Sequence, residues 1–361
     1  MLITLGVLLI IGGSLAAILS AIDPGPASSG QPARGPGPHV RAGNGRACDL
    51  VAAPTGSDSA SGSEADPLQG VQELVNSLGP GQTGCLRSGT YTDPSDNEVK
   101  ISRPQITLQS FPGETPTVVG RLWVSADDVT VQDLNLDGRN PDTLPSPTVT
   151  AADVTFRNDD VTNDHTAICF SLGSQVYGVA RSTLIENSRI HDCGRLPPTN
   201  RDHGIYVAHA VRPVIRDNWI YANADRGIQL YPNSQRAVVT GNVIDRNGEG
   251  IIFSGSGTVT SGHNLVKGNV IANSNVRWNV ESGSAGPTAS GNVVRDNCVF
   301  ASNPDSYYDS NGGIQQPAQD FRARGNLVAD PRYENAEDAD YRLQSDSPCL
   351  GTFTGRLPGG G

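Results

Sequence analysis

Apolar and polar positions along this chain fall into a repeat. Six segments align on one template: LIENSRI (184–190), VIRDNWI (214–220), VVTGNVI (238–244), LVKGNVI (265–271), VVRDNCV (293–299) and RARGNLV (322–328). VTVQDLNL (129–136) and VTFRNDDV (154–161) are earlier, degenerate copies. Asn218, Asn242, Asn269, Asn297 and Asn326 fill one template position, at intervals of 24, 27, 28 and 29 residues. A second motif falls between these segments: Gly204-Ile205-Tyr206-Val207, Gly227-Ile228-Gln229-Leu230 and Gly250-Ile251-Ile252-Phe253, spaced by 23 residues. Short strands and polar turns at such a period predict a β-solenoid. Each coil holds a strand, a turn, a second strand, a tight Asn-containing turn and a third strand. Asparagine suits that turn because it tolerates left-handed backbone. Coils stacked about 4.8 Å apart let the asparagine amides bond in a ladder. Alternation sends Ile205, Val207, Ile228, Leu230, Ile251 and Phe253 inward and Tyr206, Gln229 and Ile252 outward on one face.

Ahead of the repeat the period changes. Leu68, Val71, Leu74, Val75 and Leu78 recur at helical spacing, and Gly79-Pro80-Gly81 stops the run. This predicts a short helix capping the first layer, which every solenoid needs, with a strand at 85–87 after it. Residues 23–46 are a Pro/Gly/Ser-rich stretch that cannot bury a core and read as a linker. Residues 1–22 carry no charge and are long enough to cross a bilayer as a helix, so they read as a signal peptide or a membrane anchor. The missing basic n-region, and Leu19 where a small residue normally precedes the cut, favour the anchor. The folded domain is then 47–361.

Composition narrows the partners. Glycine (42), proline (25) and only 17% charged residues fit a turn-rich, strand-rich chain. Acidic residues outnumber basic ones 37 to 26, and the net charge of −11 argues against a nucleic-acid partner, which needs a basic face. An acidic glycan stays open, because a local basic cleft can sit in an acidic protein. Six cysteines behind an export segment, with no CxxC pair, point to disulfides rather than zinc.

These motifs resemble the right-handed parallel β-helix repeat proteins, the superfamily of pectate lyases, polygalacturonases, mannuronan C5-epimerases and phage tailspikes. The resemblance runs from Ala47 to Phe353. GSDSASGSEADP…GPGQTG…RSGTY resembles the N-terminal cap, and GNLVADPRYENAEDADYRLQSDSPC the last coil and closing strand. It implies an all-β, right-handed parallel β-helix of about nine coils with a short N-terminal capping helix. It also implies a glycan site across the face of the Gly-Ile strands. The insertions at 171–183 and 194–202 (GRLPPTNRD) would wall a groove there. The expected partner is an acidic polysaccharide, bound by an extracellular or cell-surface monomer that meets a membrane only through residues 1–22. One fold hosts many chemistries, so activity has to come from the residues.

Neighbouring coils bring together Arg201, Asp202, His203 and Tyr206, then Asp225, Arg226, Gln229 and Tyr231, then Glu249, with Asp164 and His165 from the coil before. Taking the proton α to a uronate carboxylate needs a cation on that carboxylate, a base at C5 and an acid at the leaving oxygen or opposite ring face. Arg226 suits the first task, His203 the second and Tyr206 the third. Arg201, Asp202, Asp225, Gln229, Tyr231, Glu249 and His165 are the substrate-binding candidates. Plainer roles compete: His203 on a turn carbonyl, Arg226 bridging nearby carboxylates, Tyr206 packed under the inserted loop, Glu249 a solvated turn residue, His165 structural, and Trp219 packing. No cofactor is required, and Asp202, Asp225 and Glu249 offer at most a weak Ca2+ site.

Departures from the family limit the carry-over. Lys100 and Lys267 are expected off this face, which disfavours a lysine base. The polygalacturonase Gly-His-Gly and Arg-x-Lys are missing, and Asp202-His203 lacks the proline of the epimerases' Asp-Pro-His. Geometry suggests three bridges: Cys48 to Cys85 on adjacent cap strands, an outward-pointing Cys169 to Cys193, and Cys298 to Cys349. The resulting expectation is a polysaccharide lyase or C5-epimerase. It stands against a non-catalytic carbohydrate-binding or cell-surface protein, and against a glycoside hydrolase drawing its two carboxyls from Asp202, Asp225 and Glu249.

Overall fold

The computed structural model describes residues 48–92, 97–283, 290–302 and 307–356. The expected signal or anchor (1–22) and linker (23–46) lie outside the described residues. Within them, no helix is long and apolar enough to cross a membrane.

Most of the described strands wind into three parallel sheets of eleven, ten and nine strands, and two short antiparallel pairs, Gly255–Ser256 with Val259–Thr260 and Tyr333–Asn335 with Asp340–Leu343, stand apart from them. One coil shows the plan. Val214–Arg216 of the eleven-stranded sheet turns through Asp217-Asn218 into Trp219–Tyr221 of the ten-stranded sheet, and a longer corner leads to Arg226–Gln235 of the nine-stranded sheet. Strands this short bury little alone. Stacking them in register makes one continuous core. Ile185, Ile215, Val239, Val266 and Val294 supply one wall, Ile190, Ile220, Ile244, Ile271 and Val299 the second, and Ile205, Ile228, Ile251 and Val280 the third, all fully buried. Val207, Leu230 and Phe253 point inward as expected.

The asparagine ladder is present. Asn218 Nδ2 donates to Asn242 Oδ1 (3.0 Å), Asn242 to Asn269 (3.0 Å), Asn269 to Asn297 (2.9 Å) and Asn297 to Asn326 (2.9 Å). The reason for asparagine differs from the one expected. Left-handed backbone falls on the residue before each, at Asp217, Gly241, Gly268, Asp296 and Gly325, with φ between 55° and 66°. The asparagine itself turns its amide inward. Asn242 accepts from the Asn218 N–H (3.0 Å) and donates to Ile215 O (2.9 Å). Its contribution is a fully used side chain inside the corner. Shorter ladders, Asn223 to Asn247 (2.8 Å) and Asn264 to Asn292 (3.0 Å), line the other two corners.

The cap helix is Val71–Ser77, shorter than the apolar run that predicts it. Its Leu74, with Leu78, lies over Gly84 of the strand Thr83–Leu86, where an added Cβ would come within 2.9 Å of Leu78 and 3.0 Å of Leu74. The three disulfides Cys48–Cys85, Cys169–Cys193 and Cys298–Cys349 form. Cys169 is fully buried rather than outward. Its N–H bonds to His203 O at the corner, before the strand Phe170–Leu172 begins, so strand alternation does not govern it. Trp219 packs edge-on against Tyr341 in an apolar cluster beside Cys298 and Cys349.

Candidate functional site

The outer face of the nine-stranded sheet carries one column in register: Lys100, Trp123, Thr148, Ser171, Tyr206, Gln229, Ile252 and Glu281. Lys100 therefore lies on this face, contrary to expectation, several rungs before Tyr206. Lys267 belongs to the eleven-stranded sheet. The glycines of the Gly-Ile motif are needed for close approach. A Cβ at Gly204 would sit 2.9 Å from Asn223 Nδ2, and one at Gly250 would sit 2.2 Å from Asn279 O. Ile252 points outward yet is buried, with Gly283 over it: a Cβ there would meet the Ile252 Cδ1 at 2.5 Å.

Two of the expected binding carboxylates fold a loop instead. Asp225 accepts the N–H groups of Asn200 (2.8 Å), Arg201 (2.7 Å) and Asp202 (2.7 Å). Asp202 accepts from Arg195 Nε (2.6 Å) and Thr199 Oγ1 (3.1 Å). Together they clamp 194–202 beside the strands and leave Arg201 exposed. His165 braces the root of that loop: its Nδ1 lies 3.0 Å from Gly194 O and its Nε2 3.4 Å from Asp192. Among the described residues no group of His, Cys, Asp or Glu is arranged to hold a metal ion. The oxygens of Asp202, Asp225 and Glu249 face hydrogen-bond and guanidinium donors, which a cation would have to displace.

A buried ion cluster lies beneath the face. Arg226, 3% exposed, places Nε 3.1 Å from Glu249 Oε2 and donates from Nη1 to Asn200 O (3.1 Å). Glu249 is a buried strand residue rather than a solvated turn residue. It also accepts from Arg277 Nε (2.5 Å). Arg226 is thus enclosed and neutralised by a carboxylate of the protein itself. The guanidinium that solvent reaches is Arg277, whose side chain is 30% exposed. Arg277 Nη2 donates to Asn200 Oδ1 (2.7 Å) and lies 3.8 Å from Glu281 Oε2, so one nitrogen joins the inserted loop to the end of the column.

Burial and the neighbouring Glu249 push the Glu281 carboxyl up to about 8, against the pull of Arg277 and Arg226. Glu249 Oε2 and Glu281 Oε2 are both buried without a hydrogen-bond partner. A proton on Glu281 would bond to Glu249 and satisfy both. His203 is 2% exposed. Burial, with the charge of Arg226, holds it well below the usual histidine range, while a hydrogen bond with Gln229 works the other way. It is therefore neutral, and its Nδ1 has no partner. Tyr206 packs edge-on against His203 (centroids 5.8 Å) and lies nearly parallel to Tyr231 (6.4 Å). Burial, then the neighbouring Tyr231, pushes its phenol up to about 12.

Sequence reading missed Arg277 and Glu281. Asn279-Val280-Glu281 takes the register of Gly250-Ile251-Ile252, but the glycine is gone and the interval lengthens from 23 to 29. Counting outward positions along each coil, rather than searching for Gly-Ile, would have found Glu281.

Residues 148–316 match the family described as right handed beta helix region. The chain carries a right-handed parallel β-helix. A stretch of 78 residues is 36% identical to pectate lyase PEL9 of Emericella nidulans, covering 20% of this chain and 19% of that protein. The chain thus matches about a fifth of that relative. Among solved structures, pectate lyase Pel9A superposes with a TM-score of 0.61 at 13% identity, over 84% of this chain and 91% of that one. A rhamnogalacturonan lyase follows at 0.51 and 12% identity, over 86% and 96%. Identities this low speak for the β-helix alone, and the chemistry rests on the residues above.

Proposed function

We propose that this β-helix is an exported uronate-polysaccharide lyase or C5-epimerase, with the glycan lying along the outer face of the nine-stranded sheet. The carrying observation is that Arg277 and Glu281, a reachable cation and a titratable carboxyl, meet 3.8 Å apart at the end of that face, with Gln229 two rungs and Tyr206 three rungs back along the column. In this reading Arg277 grips the uronate carboxylate and stabilises the charge that builds there, while Gln229 and Tyr206 bind sugar units further along the chain. The Glu281 carboxylate takes the C5 proton, whose C–H electron pair becomes the C4–C5 double bond. The C4–O bond breaks, and the leaving oxygen takes its proton from solvent, because Tyr206 stands three rungs, about 14 Å, from Glu281. In an epimerase no C–O bond breaks, and a proton from solvent returns to the opposite ring face. His203, Arg226 and Glu249 are positioning residues beneath this surface.

A hydrolase needs a second carboxyl facing the bond. Glu249 is shared between two guanidiniums, and Asp202 and Asp225 are spent on the loop, which favours proton abstraction. The experiment is incubation with polygalacturonate and alginate. Unsaturated, ultraviolet-absorbing ends mark elimination, and inverted C5 centres without scission mark epimerisation. New reducing ends without unsaturation, or binding without product, would overturn the reading. Activity should rise as pH passes about 8, because only ionised Glu281 accepts a proton. Glu281→Gln should lower turnover by roughly 100-fold or more.

A further inference from the structure

The same column continues upstream to a second cluster that the proposed chemistry leaves unused. Trp123 is three rungs before Tyr206 in register, which at β-strand spacing is about 14 Å along the face. Between them stand only the short side chains of Thr148 and Ser171. Lys100 Nζ lies 4.1 Å from the Trp123 ring centroid and the Arg121 guanidinium 4.9 Å from it. Arg121 is tied to Glu98 (2.5 Å), whereas exposed Lys100 has no ion-pair partner among the described residues. Tyr177 sits edge-on to Trp123 (5.6 Å, 69°) at the tip of a small hairpin closed by Ser174 and Gly178, and it is 66% exposed. Trp123 Nε1 donates to Thr150 Oγ1 (2.9 Å), which fixes the indole.

We propose that Trp123, Tyr177 and Lys100 form a distal subsite for an acidic oligosaccharide whose other end lies over Tyr206 and Arg277. This rests on the glycan path of the proposed function. Three features select the occupant. The cluster is continuous in register with that path. The floor between the two ends is small and polar. The charge left over belongs to a lysine, in a protein of net charge −11. Aromatic faces stack on the apolar side of a sugar ring, and the ammonium pairs with a uronate carboxylate. The subsite makes affinity depend on chain length, because a short glycan reaches only one end.

The test is calorimetric binding to the full chain and to Trp123→Ala, Tyr177→Ala and Lys100→Ala. The probes are galacturonate and mannuronate oligomers, each as a disaccharide and as a long oligomer, with a long neutral xylan oligomer as control. Each substitution should weaken the better-bound long acidic oligomer by roughly three- to tenfold and leave its disaccharide unchanged. Tyr177→Ala, on an exposed hairpin, keeps the test open should Trp123→Ala misfold. Equal losses for short and long oligomers, no loss for the long one, or equally tight binding of xylan overturns the subsite. Turnover is read separately. Length-dependent acidic binding without turnover sinks the lyase and epimerase reading and keeps the subsite. Turnover without length-dependent loss in the variants does the reverse.

Discussion

Two regions bury polar side chains with opposite consequences. At the tight corner, Asn218, Asn242, Asn269, Asn297 and Asn326 are neutral, identical and stacked, and none leaves a buried polar atom without a partner. One face away, His203, Arg226, Glu249 and Glu281 are of three types, all ionisable, and each keeps a buried atom without a hydrogen bond. A polar group repeated in register satisfies its neighbour at each rung, so the repeat itself solves the desolvation problem. A group that occurs once has to find a partner from another residue type, and capacity is left over. Unspent hydrogen-bonding capacity under an accessible face is what a proton-transfer site requires.

The largest expected effect on stability tests the satisfied half. Asn242→Ala removes the amide that bonds Asn218, Asn269 and Ile215 O and orphans buried groups on both neighbouring rungs. The cost should be about 3 kcal/mol, read as a shift in the urea unfolding midpoint. A loss below about 1 kcal/mol would mean water replaces the amide, and the contrast between the regions would fail.

Legibility followed the same division. The solenoid, its inward residues and the asparagine column were readable because repetition gives each position several witnesses. The αL position was misassigned because Asp217 and Gly241 differ in type while Asn218 and Asn242 agree, and the eye follows agreement. In the site, Tyr206 and Gln229 came from alternation. The burial of Arg226 and the loop-clamping roles of Asp202 and Asp225 depend on how 194–202 folds, which no periodicity encodes. Arg277 and Glu281 were lost where a coil lengthened.

A smaller effect tests the unsatisfied half. Glu281 in the folded chain holds its proton up to about 8, against an ordinary 4.5, so the folded state binds more protons than the unfolded one between those values. Stability contributed by this group therefore falls as pH rises from about 4.5 and is lost fully above about 8. Glu281→Gln should flatten that slope in a series of denaturation curves while leaving the fold intact. An unchanged slope would show that Glu281 ionises freely, and the proposed base would lose its basis.

The smallest effect separates two histidines. His191 bonds Asp160 through Nε2 (2.9 Å) and Asp192 through Nδ1 (2.7 Å), and it stacks on Tyr221. Burial alone would lower its pKa, but the two carboxylates outweigh burial and hold it up to about 9. Its charge therefore stabilises the fold fully below an ordinary 6.5, and that contribution disappears as pH climbs through about 9. His203, with Arg226 rather than a carboxylate beside it, is driven the other way and stays neutral. His191→Gln should cost on the order of 1 kcal/mol at low pH and almost nothing above the window. In a histidine-resolved NMR titration, His191 should change state near 9 and His203 should show no step in the neutral range. A His203 step near its ordinary 6.5 would mean that water reaches the ring, and the line between a satisfied surface pair and an enclosed, unspent one would move.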